Sequence, residues 1–128
     1  GAVPYHELAS YFRAGDVFAM PCRSRRGGLD IEALGAVFLQ AAAVGRPVIA
    51  GASGGAPEAL VHGTTGFVVP PDSPHAIAGA IVPLLADPVR ACSLGRAGAE
   101  WVHREWTWDM MTTRLRAMLA ETVEAPRS

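Results

Sequence analysis

Three short apolar runs constrain this chain more than any other feature. Residues 16–20 (DVFAM), 47–50 (PVIA) and 66–70 (GFVVP) hold almost no polar side chain, and Pro21, Gly51 and Pro70 close them. A strand that is apolar on both faces must be covered on both faces, which is the position of a strand inside a parallel sheet. Parallel neighbours cannot be joined by a hairpin, so a helix has to carry the chain across between them. The intervening segments read that way. Tyr5, Leu8, Ala9, Phe12 and Arg13 stand at helical spacing, which predicts a short amphipathic helix over 5–14 that stops at Gly15. Residues 34–44, rich in Ala and Leu, predict a buried helix ended by Gly45 at the C′ position. Gly51, Gly54 and Gly55 predict a sharp turn, and Pro57 with Glu58 the first turn of a further short helix.

Ser73 caps a helix that opens with Pro74 and places Ile77, Ile81, Leu84 and Leu85 on one face. Pro83 should kink this helix rather than break it. Pro88 starts another helix to about Arg104, and Thr107 caps a last one with Trp108, Met111, Leu115, Met118 and Thr122 along one stripe. The order of elements predicts an α/β fold, part of a doubly wound, Rossmann-like parallel sheet of about three strands with right-handed crossovers. Three strands make a small sheet, and the helix over 5–14 has no strand before it. Residues 1–128 are therefore expected to form a single partial domain, the second half of a larger one, with 103–128 as its final helices.

Composition sets the remaining bounds. Half of the 128 residues are apolar, enough for a core at a size where roughly two thirds of the unfolded surface is buried. All 11 basic residues are Arg, and the net charge of -1 supplies no general attraction to nucleic acid or to an anionic membrane. No apolar run is long enough to span a bilayer and no leader opens the chain, which predicts a soluble, cytoplasmic protein. Cys22 and Cys92, seventy positions apart, fit no metal or redox spacing and are expected to be reduced, packed thiols. The four histidines, at 6, 62, 75 and 103, have no partner at ligand spacing, and Trp101, Trp106 and Trp108 read as packing anchors.

Ligands of open parallel sheets bind beyond the carboxyl ends of the strands. The loop after the first run carries Arg23, Arg25 and Arg26, which suit either an anion-binding loop or a solvated one that counters nearby acids. It leads to Glu32 and then to the backbone amides of Leu34, Gly35, Ala36 and Val37, the unpaired donors of a helix with its positive dipole end behind them. Gln40 follows eight positions after Glu32. A carboxylate that accepts from two hydroxyls, an amide side chain and a cluster of N–H donors suit a polyhydroxylated ligand with an anionic group. Gly54, Gly55 and Glu58 either line the same pocket or simply make a tight turn. No G-x-G-x-x-G occurs, which disfavours a dinucleotide oxidoreductase.

The stretch from Asp16 to Glu58, with GGLDIEALGAVFLQAAAVGRPVIA at its centre, resembles the C-terminal, donor-binding domain of retaining GT-B glycosyltransferases of family 4. Gly63 to Val68 and Trp106-Thr107-Trp108 extend the resemblance over nearly the whole chain, and it points within that family to the GDP-mannose-dependent phosphatidylinositol mannoside mannosyltransferases. The resemblance implies a nucleotide-sugar donor, GDP-mannose, and mannosyl transfer to a glycolipid acceptor without a metal or other cofactor. It makes Glu32 the catalytic-site contact to the donor sugar and places the amides around Gly35 on the diphosphate and hexose. Gln40 stands where the family has a second glutamate that contacts ribose. A neutral amide there should weaken nucleotide binding by about 1–3 kcal/mol if the family's carboxylate bonds are charge-assisted. The family's phosphate-binding Arg and Lys and its acceptor-binding domain lie upstream of the matched region. The chain alone is thus expected to be inactive without an upstream GT-B portion, which would sit at the inner face of the membrane. The alternative is a non-catalytic nucleotide-sugar-binding or interaction module, and an open edge at the first strand makes a homodimer a further expectation.

Overall fold

The computed structural model describes residues 2–24 and 33–124. A 3₁₀ turn at Tyr5–Glu7 leads into α1 (Leu8–Ala14), followed by β1 (Phe18–Met20), α2 (Ala36–Ala43) and β2 (Val48–Gly51). A second 3₁₀ turn (Ala56–Ala59), β3 (Gly66–Val69), α3 (Pro74–Ala86), α4 (Pro88–Glu105) and α5 (Trp108–Glu124) complete the chain. The sheet order is β1-β2-β3, all parallel, with Phe18 opposite Val48 and Ile49 opposite Phe67. The three expected strands and their helical crossovers are present.

β2 organises the core because all four of its residues are buried and its side chains alternate between two layers. Val48 and Ala50 join Phe38, Ala41 and Ala42 of α2 and Val102 of α4 on one face, while Ile49 joins Val69, Leu84, Ala91 and Leu94 on the other. α4 contributes to both layers, so this one helix wraps from face to face. Phe18 links α1 to α2 through edge-to-face contacts with Phe12 (5.3 Å between centroids) and Phe38 (5.9 Å).

Local signals account for the helix ends. Gly45 has φ 80°, its N–H donates to Ala42 O at 2.8 Å, and Arg46 N–H donates to Ala41 O at 3.1 Å. These are the paired bonds of a Schellman turn, which only a residue at ease with positive φ can close. Ser73 Oγ accepts from Ala76 N–H at 3.2 Å, and Thr107 Oγ1 from Met110 N–H at 3.3 Å, as their N-cap positions require. α3 runs unbroken through Pro83 and meets α4 at a 106° bend about Asp87, whose carboxylate accepts from Arg90 N–H at 3.0 Å.

Three packing expectations need correction. Leu85 is 54% exposed, because the covered stripe of α3 runs through Ile77, Ile81 and Leu84, while Leu85 lines an open cleft with Ala91 and Cys92 of α4. Cys92 is exposed on α4, although neither cysteine is in a disulfide and Cys22 is half-buried. Trp108 is 87% exposed and no anchor, whereas Trp101 and Trp106 pack edge to face at 5.8 Å. Leu115, Met118 and Leu119 leave most of the α5 stripe in solvent as well.

The two outer edges of the sheet differ. Along β3 the turn at 61–66 folds back, so that Gly63 N–H donates to Gly66 O at 2.8 Å and Val68 N–H donates to His62 Nδ1 at 3.0 Å. Beside β1 there is no further strand among the described residues. Among those residues, no single helix is long and apolar enough to cross a membrane.

Candidate functional site

The carboxyl ends of β1 and β2 bring together three segments: the loop from Pro21 to Ser24, the turn 33–35 before α2, and the glycine loop 51–55. Glu32, Arg25 and Arg26 lie outside the described residues. Arg23 is described, and its guanidinium lies 3.5 Å from Asp72 Oδ1 with both groups exposed. That is a surface ion pair of small energetic weight.

α2 begins at Ala36, two residues later than the sequence pattern indicated, because Gly35 takes φ 73° and a right-handed helix cannot contain that conformation. Leu34 therefore precedes the helix, and Gly35 has no side chain with which to cap it. Phe38 N–H is already taken by Gly35 O at 2.9 Å, so the first-turn donors without a partner inside the helix are those of Ala36 and Val37. Gln40 lies one helical turn further on, about 6 Å along the axis and on the side of Ala36. Half-buried, it lines a cleft of about 350 Å³ between α1 and α2 with Tyr5, His6, Leu8, Phe12 and Val44.

The glycine loop has a different part. A Cβ on Gly51 would lie 2.1 Å from Cys22 O, and one on Gly55 would lie 2.0 Å from Ala33 O. Backbone thus presses on backbone at both places, and no other residue fits. Ser53, only 4% exposed, places its Oγ 2.9 Å from Ser24 Oγ. Sequence reasoning passed over this pair; the one signal for it was a lone hydroxyl within a glycine-rich loop after the most buried strand. Gly54 and Glu58 are exposed, and Glu58 stands in the 3₁₀ turn at Ala56–Ala59 with its N–H on Gly55 O at 3.0 Å.

A larger cleft, about 410 Å³, is lined by Asp16, Arg46, Pro47, Leu84, Leu85 and Cys92. It opens at the amino ends of β1 and β2, the pole opposite to the one where parallel sheets bind ligands. Arg46 Nε is buried there without a hydrogen-bond partner. Among the described residues no group of His, Cys, Asp or Glu could hold a metal ion.

Comparison with known proteins agrees with this arrangement. The GDP-mannose-dependent alpha-(1-6)-phosphatidylinositol monomannoside mannosyltransferase of Mycobacterium tuberculosis is 50% identical over 115 residues, 90% of this chain and 30% of that protein. The GDP-mannose-dependent monoacylated alpha-(1-6)-phosphatidylinositol monomannoside mannosyltransferase of Corynebacterium glutamicum is 45% identical over 119 residues, 93% of this chain and 31% of that protein. Among solved structures, sucrose-phosphate synthase from Thermosynechococcus elongatus superposes with a TM-score of 0.82 at 32% identity, over 98% of this chain and 30% of its own. The chain spans about 30% of the length of the curated relatives it matches. With the model of glycosyl transferases group 1 matched over residues 1–101, the chain belongs to that family and shares its GT-B fold.

Proposed function

We propose that this chain is the donor-binding part of a retaining mannosyltransferase that takes GDP-mannose and transfers mannose to a glycolipid acceptor. One observation carries the reading: the Ala36–Val37 amides stand beyond the carboxyl ends of β1 and β2, with Gln40 one turn away in the α1–α2 cleft. That spacing suits a diphosphate at the helix terminus and a nucleoside in the cleft, with Gln40 toward ribose. In the reaction the bond between the anomeric carbon and the diphosphate breaks. The amides and the positive end of α2 stabilise the leaving phosphate, and Glu32 orients the sugar hydroxyls. The scheme calls for no metal. Acceptor binding and further cationic contacts fall to parts of the family pattern outside the matched region, so transfer requires them, at the cytoplasmic face of a membrane. Copies of the chain would associate along β1.

Calorimetric titration of the chain with GDP-mannose tests donor binding. Saturable heat supports the reading, and no heat at millimolar ligand overturns it for this chain. The second reading, a binding module without catalysis, is favoured by the amide at position 40 in place of a carboxylate. Saturable binding without mannosyl transfer, once the chain is joined to the acceptor-binding domain of a relative, would select it.

A further inference from the structure

The segment that joins β1 to α2 is held at both ends by a loop that belongs to neither element. At its start, Cys22 O meets the backbone of Gly51 and Ser24 Oγ meets Ser53 Oγ. At its finish, Ala33 O and Leu34 Cα press on Gly55, where an added Cβ would stand 2.0 Å and 3.3 Å from them. The loop between these two anchors is stiffened by its own bonds: Ala52 N–H to Val69 O at 2.9 Å, Ser53 N–H to Gly51 O at 2.9 Å, and Ala56 N–H to Ser53 O at 3.2 Å. Ser53 is its hub. Its amide, its carbonyl and its hydroxyl are all engaged, and the side chain is buried.

We propose that Ser53 is a positioning residue of the donor site, which through the 51–55 loop sets where the Ala36–Val37 amides stand. The proposal rests on the donor reading of that helix terminus given above. A leaving diphosphate gains from N–H donors only where they are held within about half an ångström of the productive place. The left-handed residue at the α2 terminus, Gly35, follows directly on Leu34, the residue braced by Gly55. A shift of the loop therefore reaches Ala36 through two residues.

The test uses the whole chain, ¹⁵N-labelled, with GDP as the probe. Ser53→Ala removes one buried oxygen. Ser24→Ala breaks the same bond from an exposed position where folding is not at stake, and Ser24→Thr restores a hydroxyl. Both alanine variants should move the Ala36 and Val37 amide resonances and weaken GDP binding about five- to tenfold, the worth of one hydrogen bond. Ser24→Thr should recover both, with thermal midpoints near that of the parent chain. Shifts confined to residues 22–24 and 51–56, with GDP affinity unchanged, overturn the role. If the parent chain binds no GDP, the donor reading fails on its own. The ligand-free resonances then decide the loop's control of α2: movement at Ala36 and Val37 upholds it and stillness refutes it.

Discussion

Alanine in place of Gly95 and of Gly98, three residues apart on the buried face of α4, should change stability with opposite signs. A Cβ on Gly95 would stand 2.0 Å from Gly45 O, 2.7 Å from Gly45 C and 3.3 Å from Pro47 N. Comfortable contact begins near about 3.5 Å, so roughly 1.5 Å of movement is needed. What must move is the Schellman turn at Gly45 with its two hydrogen bonds, followed by the buried Pro47. Overpacking of this kind costs typically about 1–3 kcal/mol or more, against about 1 kcal/mol gained from the better helix propensity of alanine. Gly95→Ala should therefore lose on the order of 2 kcal/mol where the turn cannot yield. At Gly98 the nearest atoms, Ala42 Cβ and Thr65 O, lie at 3.5 Å, which is ordinary contact. Propensity and the buried methyl both favour alanine there, so Gly98→Ala should gain about 1 kcal/mol. Urea unfolding followed by circular dichroism measures both, at a common m-value if only stability has changed. Gly79→Ala on α3, with nothing within 4 Å of the new carbon, serves as the propensity control. A Gly95→Ala chain as stable as the parent, or a Gly98→Ala chain equally weakened, would refute the packing of α4 on the α2–β2 turn.

Two further outcomes follow from the site and from the α4–α5 joint. Gln40→Glu should tighten GDP binding at least about fivefold by calorimetry if position 40 faces ribose, because a charge-assisted pair of bonds replaces a neutral one; an unchanged affinity rejects that placement. Glu105 accepts from Arg104 Nε at 2.8 Å and from Arg114 Nη2 at 2.6 Å, and these two bonds, Arg104 first, hold its carboxyl below the usual carboxylate range. A depressed folded value means that its contribution is present above the unfolded value and lost as pH falls through the folded one. Protection factors in α5, corrected for the intrinsic exchange rate at each pH, should thus fall on acidification through the carboxylate range before those of the sheet, and Glu105→Gln should remove that pH dependence.

Features set by neighbours in the chain were legible before the fold was known. Ser73 and Thr107 cap because an N-cap needs only a hydroxyl and the next turn, and Gly45 ends α2 because a left-handed residue needs only to lack a Cβ. The three strands were legible because burial on both faces leaves an apolar run. Features set by distant segments were not. Periodicity shows that Leu84 and Leu85 are near one face, but only packing against Ile49, Val69 and Leu94 from distant elements decides that Leu84 is the one covered. The same holds for Trp108 and Cys92, whose exposure depends on what packs against α5 and α4. In the proposed site, Gln40 and the residues around Gly35 stand out through their motif alone. The Ser24–Ser53 bond joins positions 29 apart, and nothing local announces it.

The unequal edges of the sheet bear on how copies of this chain aggregate. Edge-to-edge growth into a fibre is a chain reaction that needs two reactive edges on every unit. The fold of 61–66 over β3, with the His62 ring on Val68 N–H, removes one of them. The β3 side then offers no pairing surface, so a fibre cannot grow through it.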